Sequence, residues 1–162
     1  MLPLGYPLQF EALAKTWQAF VDTGQVAPIP GFVPDPTVVQ SWERCLPRLD
    51  PRARPRLSPA KAHTLEAVLK THTDLLTIAI PYIEDIHQFI EGSDCAILLT
   101  DGAGRVLALG GDATASAQID ELGLGQGAYW AEGQIGTNAV GMTLVTAMPT
   151  QVVGAEHFFQ IY

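Results

Sequence analysis

The sequence predicts an α+β fold, an antiparallel sheet with packed helices preceded by a helical N-terminal region. Three observations carry this reading. Apolar residues recur at helical spacing over 8–24 and over 37–92. The character of the chain changes after Gly92, where the apolar runs Cys95–Thr100 and Arg105–Leu109 flank a turn, Asp101-Gly102-Ala103-Gly104. The stretch 25–36, with four prolines and a glycine after residue 27, separates the first helix from the rest.

Each element has its own warrant. Leu8, Phe10, Leu13, Trp17, Phe20 and Val21 form an amphipathic stripe that Gly24 ends. A short helix is expected near Pro36 to Leu46, with Val38, Val39 and Trp42 on one side. The Pro- and Arg-rich linker 47–57 follows, and the expected division is 1–57 for the helical region and linker, 58–162 for the sheet-bearing domain. Ser58-Pro59 supplies a helix start, a hydroxyl to cap free amides and a proline where no amide bond is needed. Leu65, Leu69, Leu76, Ala79, Ile83, Ile86 and Ile90 then fall on one stripe, interrupted by His72. Pro81 should kink or divide this helix, and Gly92 closes it. Beyond the hairpin, 113–122 reads as a short helix and the Gly123-Leu124-Gly125-Gln126-Gly127 string as a turn. Residues 128–146 fit strand or helix, and Pro149 to Val153 reads as a strand.

Composition excludes several classes. With 48% hydrophobic and 16% charged residues, the chain is not disordered as a whole. No apolar run approaches the ~20 residues of a membrane span, and the first residues lack the basic and apolar regions of a signal peptide, so a cytoplasmic location without membrane contact is expected. Net charge is −8, seven of the nine basic residues lie between Arg44 and Lys70, and none follows Arg105. Such a chain repels a phosphate backbone, so no direct nucleic-acid binding is expected. Cys45 and Cys95 read as buried reduced thiols, since two scattered cysteines make neither a disulfide framework nor a metal spacing.

The chemistry-bearing patterns are sparse. The glycine string has neither the dinucleotide spacing nor the Lys-Ser/Thr of a phosphate loop. Glu84, His87 and Glu91 make half of a carboxylate-bridged metal site with no second half. Glu156-His157 lacks a nucleophile, so catalysis is not expected and no motif names a cofactor. Gly136-Thr137-Asn138-Ala139-Val140-Gly141 is the most unusual string. It suits both a helix N-terminus capped by Thr137 or Asn138 and a pocket wall.

At this string the chain resembles a known family. Trp130-Ala131-Glu132-Gly133-Gln134-Ile135-Gly136-Thr137-Asn138-Ala139-Val140-Gly141 resembles the W-x-E-x-x-x-G-T-N-A-[IV]-G signature of a GAF-domain subfamily. Pro149 to Phe158 matches its P-x-x-V-x-G-x-E-H-F continuation, and Ser41-Trp42-x-Arg44-Cys45 with Asp50-Pro51 matches the same proteins. These are the sensory regions of acetoin- and dihydroxyacetone-type activators, usually sigma-54-dependent. The resemblance implies a regulatory domain, not an enzyme, with a pocket for a small molecule, or else a module that answers to a partner protein. Family members continue after the E-H-F motif with further strands, so the sheet is expected to lack them here.

Three expectations follow for the structure. Trp130, Glu132, Thr137, Asn138 and His157 should gather around one ligand cavity against strand 95–100, or else serve only to brace the fold. The helices of 59–92, with a second stripe of Val68, Leu75, Ile78 and Ile86, should make a homodimer, or else pack against the N-terminal helix 8–24. The strand edges at Ile97–Leu99 and Gln151–Val153 should lack backbone partners.

Overall fold

The computed structural model describes residues 6–53 and 62–159. The chain packs as two compact units, Met1–Arg56 with Ala131–Tyr162, and Leu57–Trp130. The fold is α+β, with helices predominating and one small antiparallel sheet.

The first unit is helical. Helix α1 (Tyr6–Thr23) buries Leu13, Trp17, Phe20 and Val21, spaced as one face of a helix. Gly24, at φ +72, ends it by donating its N–H to the Phe20 carbonyl at 2.7 Å. Helix α2 (Pro36–Cys45) starts as its sequence dictates. The Asp35 carboxylate accepts the Thr37 N–H at 2.7 Å, and Pro36 stands at the first turn, where its missing N–H costs nothing. Val38, Ser41, Trp42 and Cys45 form its buried face. The Phe20 and Trp42 rings lie 5.4 Å apart, and Met142, Phe158 and Phe159 complete this core. The ambiguous stretch 128–146 resolves as helix α6 (Glu132–Ile135) and helix α7 (Ala139–Thr146). Helices α3 (Ala62–Thr71), α4 (Thr73–Ile90) and α5 (Ala113–Glu121) belong to the second unit.

Pro149–Val153 is not a strand, which corrects the expectation. Pro149 brings no N–H, and the Val153 N–H is taken by the Glu156 carboxylate at 2.8 Å, which sets up a 3₁₀ turn over Gly154–Glu156. The edge expected at Gln151–Val153 therefore does not exist.

In the second unit, helix α3 (Ala62–Thr71) and helix α4 (Thr73–Ile90) meet at His72, whose Nδ1 lies 2.9 Å from the Val68 carbonyl. The expected start at Ser58-Pro59 lies outside the described residues. Pro81 does not divide α4. Strand β1 (Ala96–Thr100) pairs antiparallel with strand β2 (Val106–Gly111), with Leu98 opposite Leu109 and an irregularity at Leu99/Thr100. The turn is held by Asp101, whose carboxylate accepts the N–H groups of Ala103 and Arg105, both at 2.9 Å. Among the described residues the sheet has two strands, and β1 has no second neighbour. Helix α5 (Ala113–Glu121) matches its expected span to within a residue, and the glycine string is a turn returning to β2, where Gly127 N–H meets the Val106 carbonyl at 2.8 Å.

Cys95 corrects another expectation. It precedes β1, in the turn after Gly92, and is exposed. That turn is organised by Asp112. Its carboxylate accepts N–H groups from Gly92 at 3.0 Å and Asp94 at 2.7 Å, and meets His87 Nε2 at 3.1 Å. The Gly92 amide first, then His87, holds the Asp112 carboxyl down at about 2. A depressed carboxylate stabilises the fold above its unfolded value, near 3.8, and loses that contribution as pH falls toward 2. Asp112→Asn should therefore melt below the native chain at neutral pH and lose part of the acid-induced fall in Tm between about pH 4 and pH 2. Melting curves across that range check it.

Candidate functional site

The motif residues of the first unit converge on one carboxylate. Glu132, at the first turn of α6, is buried. Arg44 grips it side-on, Nε to Oε2 and Nη2 to Oε1, both at 2.8 Å. Ser41 Oγ donates to Glu132 Oε1 at 2.6 Å and lies 2.8 Å from Thr137 Oγ1. Cys45 Sγ points at the Glu132 carbonyl, 3.7 Å away. Ser41, Arg44 and Cys45 share a face of α2 because they are three, one and four residues apart along a helix. The pairing with Glu132 raises the Arg44 pKa further, and burial pushes the Cys45 thiol up to about 11.

The same brace reaches the last motif. Asn138 caps α7, accepting the Gly141 N–H at 2.9 Å and donating Nδ2 to the Gly136 carbonyl at 2.8 Å. Gly136 stands at φ +71, and a Cβ there would come within 2.4 Å of Phe158 Cβ, so only glycine lets the two segments touch. The Phe158 N–H meets the Thr137 carbonyl at 3.4 Å. Trp42 Nε1 donates to the Glu156 carbonyl at 2.7 Å, which ties α2 to the turn before His157.

Of the five expected site residues, Glu132, Thr137 and Asn138 thus lie together in or beside the brace. His157 is part-buried, with Nδ1 donating to the Gly154 carbonyl at 3.0 Å, and burial lowers its pKa, which favours the neutral ring. Glu156 does not orient it, being turned to the Val153 amide. Trp130 belongs to the other unit, where its indole N–H donates to the Leu124 carbonyl at 2.9 Å. Among the described residues no group of three acidic, Cys or His side chains could hold a metal, and His87 is engaged by Asp112.

Sequence reasoning missed a cleft in the first unit. It measures about 390 Å³ and runs between α2, α7 and the segment 148–156. Thr37, Thr146, Thr150 and Gln151 offer hydroxyl and amide groups, Val38 and Met142 an apolar floor. Asp35, Val153 and Glu156 form the wall it shares with a smaller hollow of about 180 Å³ beside Phe10, Leu13 and Phe32. Burial, with a further contribution from Asp35, raises the Glu156 pKa. The signal that could have found this cleft is the failure of the 149–153 strand, foreshadowed by Pro149.

The chain is related to bacterial proteins that regulate operon transcription. It is 34% identical over 123 residues to the glycerol metabolism operon regulatory protein of Citrobacter freundii, covering 76% of this chain and 19% of that protein. It is 31% identical over 150 residues to the acetoin dehydrogenase operon transcriptional activator AcoR of Bacillus subtilis, covering 89% and 24%. The crystal structure of the Escherichia coli DhaR(N)–DhaL complex contains a chain with a TM-score of 0.75 and 26% identity, over 78% of this chain and 43% of that one. The chain belongs to this acetoin- and dihydroxyacetone-type regulator family, whose motifs it carries. It spans about a fifth of the length of these regulators. No family model matches it. No helix among the described residues is long and apolar enough to cross a membrane.

Two outcomes test the brace. Glu132→Ala strands the Arg44 fork and the Ser41 hydroxyl, and should cost about 2–4 kcal/mol, less than the ~3–5 kcal/mol of a fully buried pair because Arg44 is 37% exposed and can rehydrate. Urea unfolding measures it. A thiol titration with a disulfide reagent should find one reactive cysteine in the folded chain, Cys95, and the second only on unfolding.

Proposed function

We propose that this chain is the signal-sensing region of a bacterial operon regulator, a GAF-type domain that binds a small molecule and acts as a homodimer in the cytoplasm, without catalysis and without touching DNA itself. The observation that supports the ligand is the 390 Å³ cleft, of small-molecule size and mixed polar and apolar lining. In this reading Glu132, Thr137, Asn138 and His157 serve the ligand site by fixing its walls. Asn138 caps the helix that carries Met142 and Thr146. Glu132 and Thr137 pin that region to α2, and His157 follows Glu156 out of the cleft wall. The operons named for the relatives suggest the ligand class, small hydroxylated or carbonyl compounds such as glycerol, acetoin and dihydroxyacetone.

A second reading has a specific support. The similar solved chain lies in a complex of a regulator with a partner protein, DhaL. Here the sensed signal would be a protein, and the cleft would be incidental.

Thermal shift and calorimetry with those three compounds separate the readings. Binding is expected, and Thr146→Trp, which fills the cleft, should abolish it while leaving the melting temperature within a few degrees. Binding unchanged in Thr146→Trp would move the site elsewhere. No heat and no shift from any of the three, together with capture of a DhaL-type protein, would favour the second reading.

A further inference from the structure

Helix α4 carries two apolar faces. Leu76, Ala79, Ile83 and Ile90 are half-buried, and Ile83 approaches Gly110 of β2, so this face serves the sheet. One residue earlier at each step lie Leu75, Ile78, Tyr82 and Phe89, with Ile86 beside them, all exposed. This second face is rotated by about 100° from the first. Phe89 is 90% exposed, Tyr82 65% and Ile78 64%, far more than a helix serving its own sheet leaves open.

The order of the exposed residues is symmetric. Their spacings run three, four, four, three about Tyr82. Turning the helix end for end about Tyr82 therefore sets Leu75 against Phe89 and Ile78 against Ile86, with Tyr82 against its own copy. The same operation keeps like charges apart. Asp74 meets Ile90, Glu84 meets Ile80 and Asp85 meets Ala79, so no acidic residue of the helix is set opposite another. A two-fold contact needs a patch complementary to itself, and this one is.

We propose that α4 pairs with α4 of a second copy of this chain, antiparallel, on a two-fold axis at Tyr82. The proposal rests on the homodimer of the reading above and gives it a surface, a direction and a centre. Tyr82 and Phe89, 65% and 90% exposed, together offer roughly 230–390 Å² per copy on the scale of ~150–250 Å² for a buried aromatic, and Leu75, Ile78 and Ile86 add to it. Counted over two copies, this brings the patch toward the ~1,200 Å² at which stable specific interfaces begin. From Leu75 to Phe89 the contact runs about 21 Å along the helix.

Site-directed cross-linking tests the direction, in the full chain with Cys95→Ser removing the exposed native thiol. Tyr82→Cys is expected to oxidise to a covalent dimer. Leu75→Cys and Phe89→Cys are expected to cross-link to each other when mixed, and neither to itself. Light scattering should show a dimer, and Ile78→Glu, which places two unpaired charges in the contact, should weaken it by ~100-fold or more with helix content unchanged by circular dichroism. A monomer at every concentration would overturn the proposal. So would self-linking of Leu75→Cys and Phe89→Cys, the mark of a parallel pair, or a dimer indifferent to Ile78→Glu. The outcome is separable from that of the ligand test, because the cleft and α4 belong to different units and each is probed by its own variants.

Discussion

The carboxylate of Glu132 is the constraint on which the first unit depends. It stands on a helix of four residues, too short to hold itself together in water. What fixes that helix is the set of donors from α2, the Arg44 fork and the Ser41 hydroxyl. Removing a charge from solvent costs several kcal/mol unless its oxygens are satisfied, and here each oxygen has a charged or hydroxyl donor. The satisfied carboxylate in turn orders Thr137, and through Gly136 and Asn138 the start of α7. Residues some ninety positions apart are thereby held in one register.

Apolar packing supplies the bulk of the stabilisation around this point but less of its geometry. Trp42 illustrates the division. Its ring is fully buried against Phe20, while its indole N–H selects the Glu156 carbonyl. The ring could be accommodated in several poses; the hydrogen bond admits one. Gly136 acts by subtraction, since its lack of a side chain is what allows Phe158 to approach.

Local signals proved readable where the physics is local. The cap at Asn138, the hairpin turn at Asp101–Gly104 and the stripe of α1 all follow from neighbours within a turn of chain. The break at His72 was visible as an interruption of the stripe, whereas Pro81 was not decisive, because a proline costs one hydrogen bond that the rest of an eighteen-residue helix can outweigh. Pro149–Val153 misled because β-branched and polar residues in an extended segment look alike whether or not a partner strand exists, and the competing acceptor, Glu156, lies beyond the window. Cys95 misled because the apolar run it begins is the strand, and the cysteine itself falls in the preceding turn. Glu132, Thr137 and Asn138, which lie together in or beside the brace, were named as a group through family resemblance. That Ser41 and Arg44 meet Glu132 was not legible, since no single sequence states which distant donors share an acceptor.

The first unit is built from two stretches of chain with the whole of the second unit between them. That has a consequence for how the molecule comes into being. On a ribosome, residues 57–130 emerge as one uninterrupted stretch and can close on themselves at once. Helices α1 and α2 emerge earlier, yet their apolar faces and the Arg44 fork wait until Glu132 and Phe158 have been made. Closing so long a loop is slow compared with pairing neighbours. Helices α1 and α2, made before the second unit, thus complete their packing only after it, and during that interval Trp17, Phe20 and Trp42 are the surfaces that a chaperone would meet.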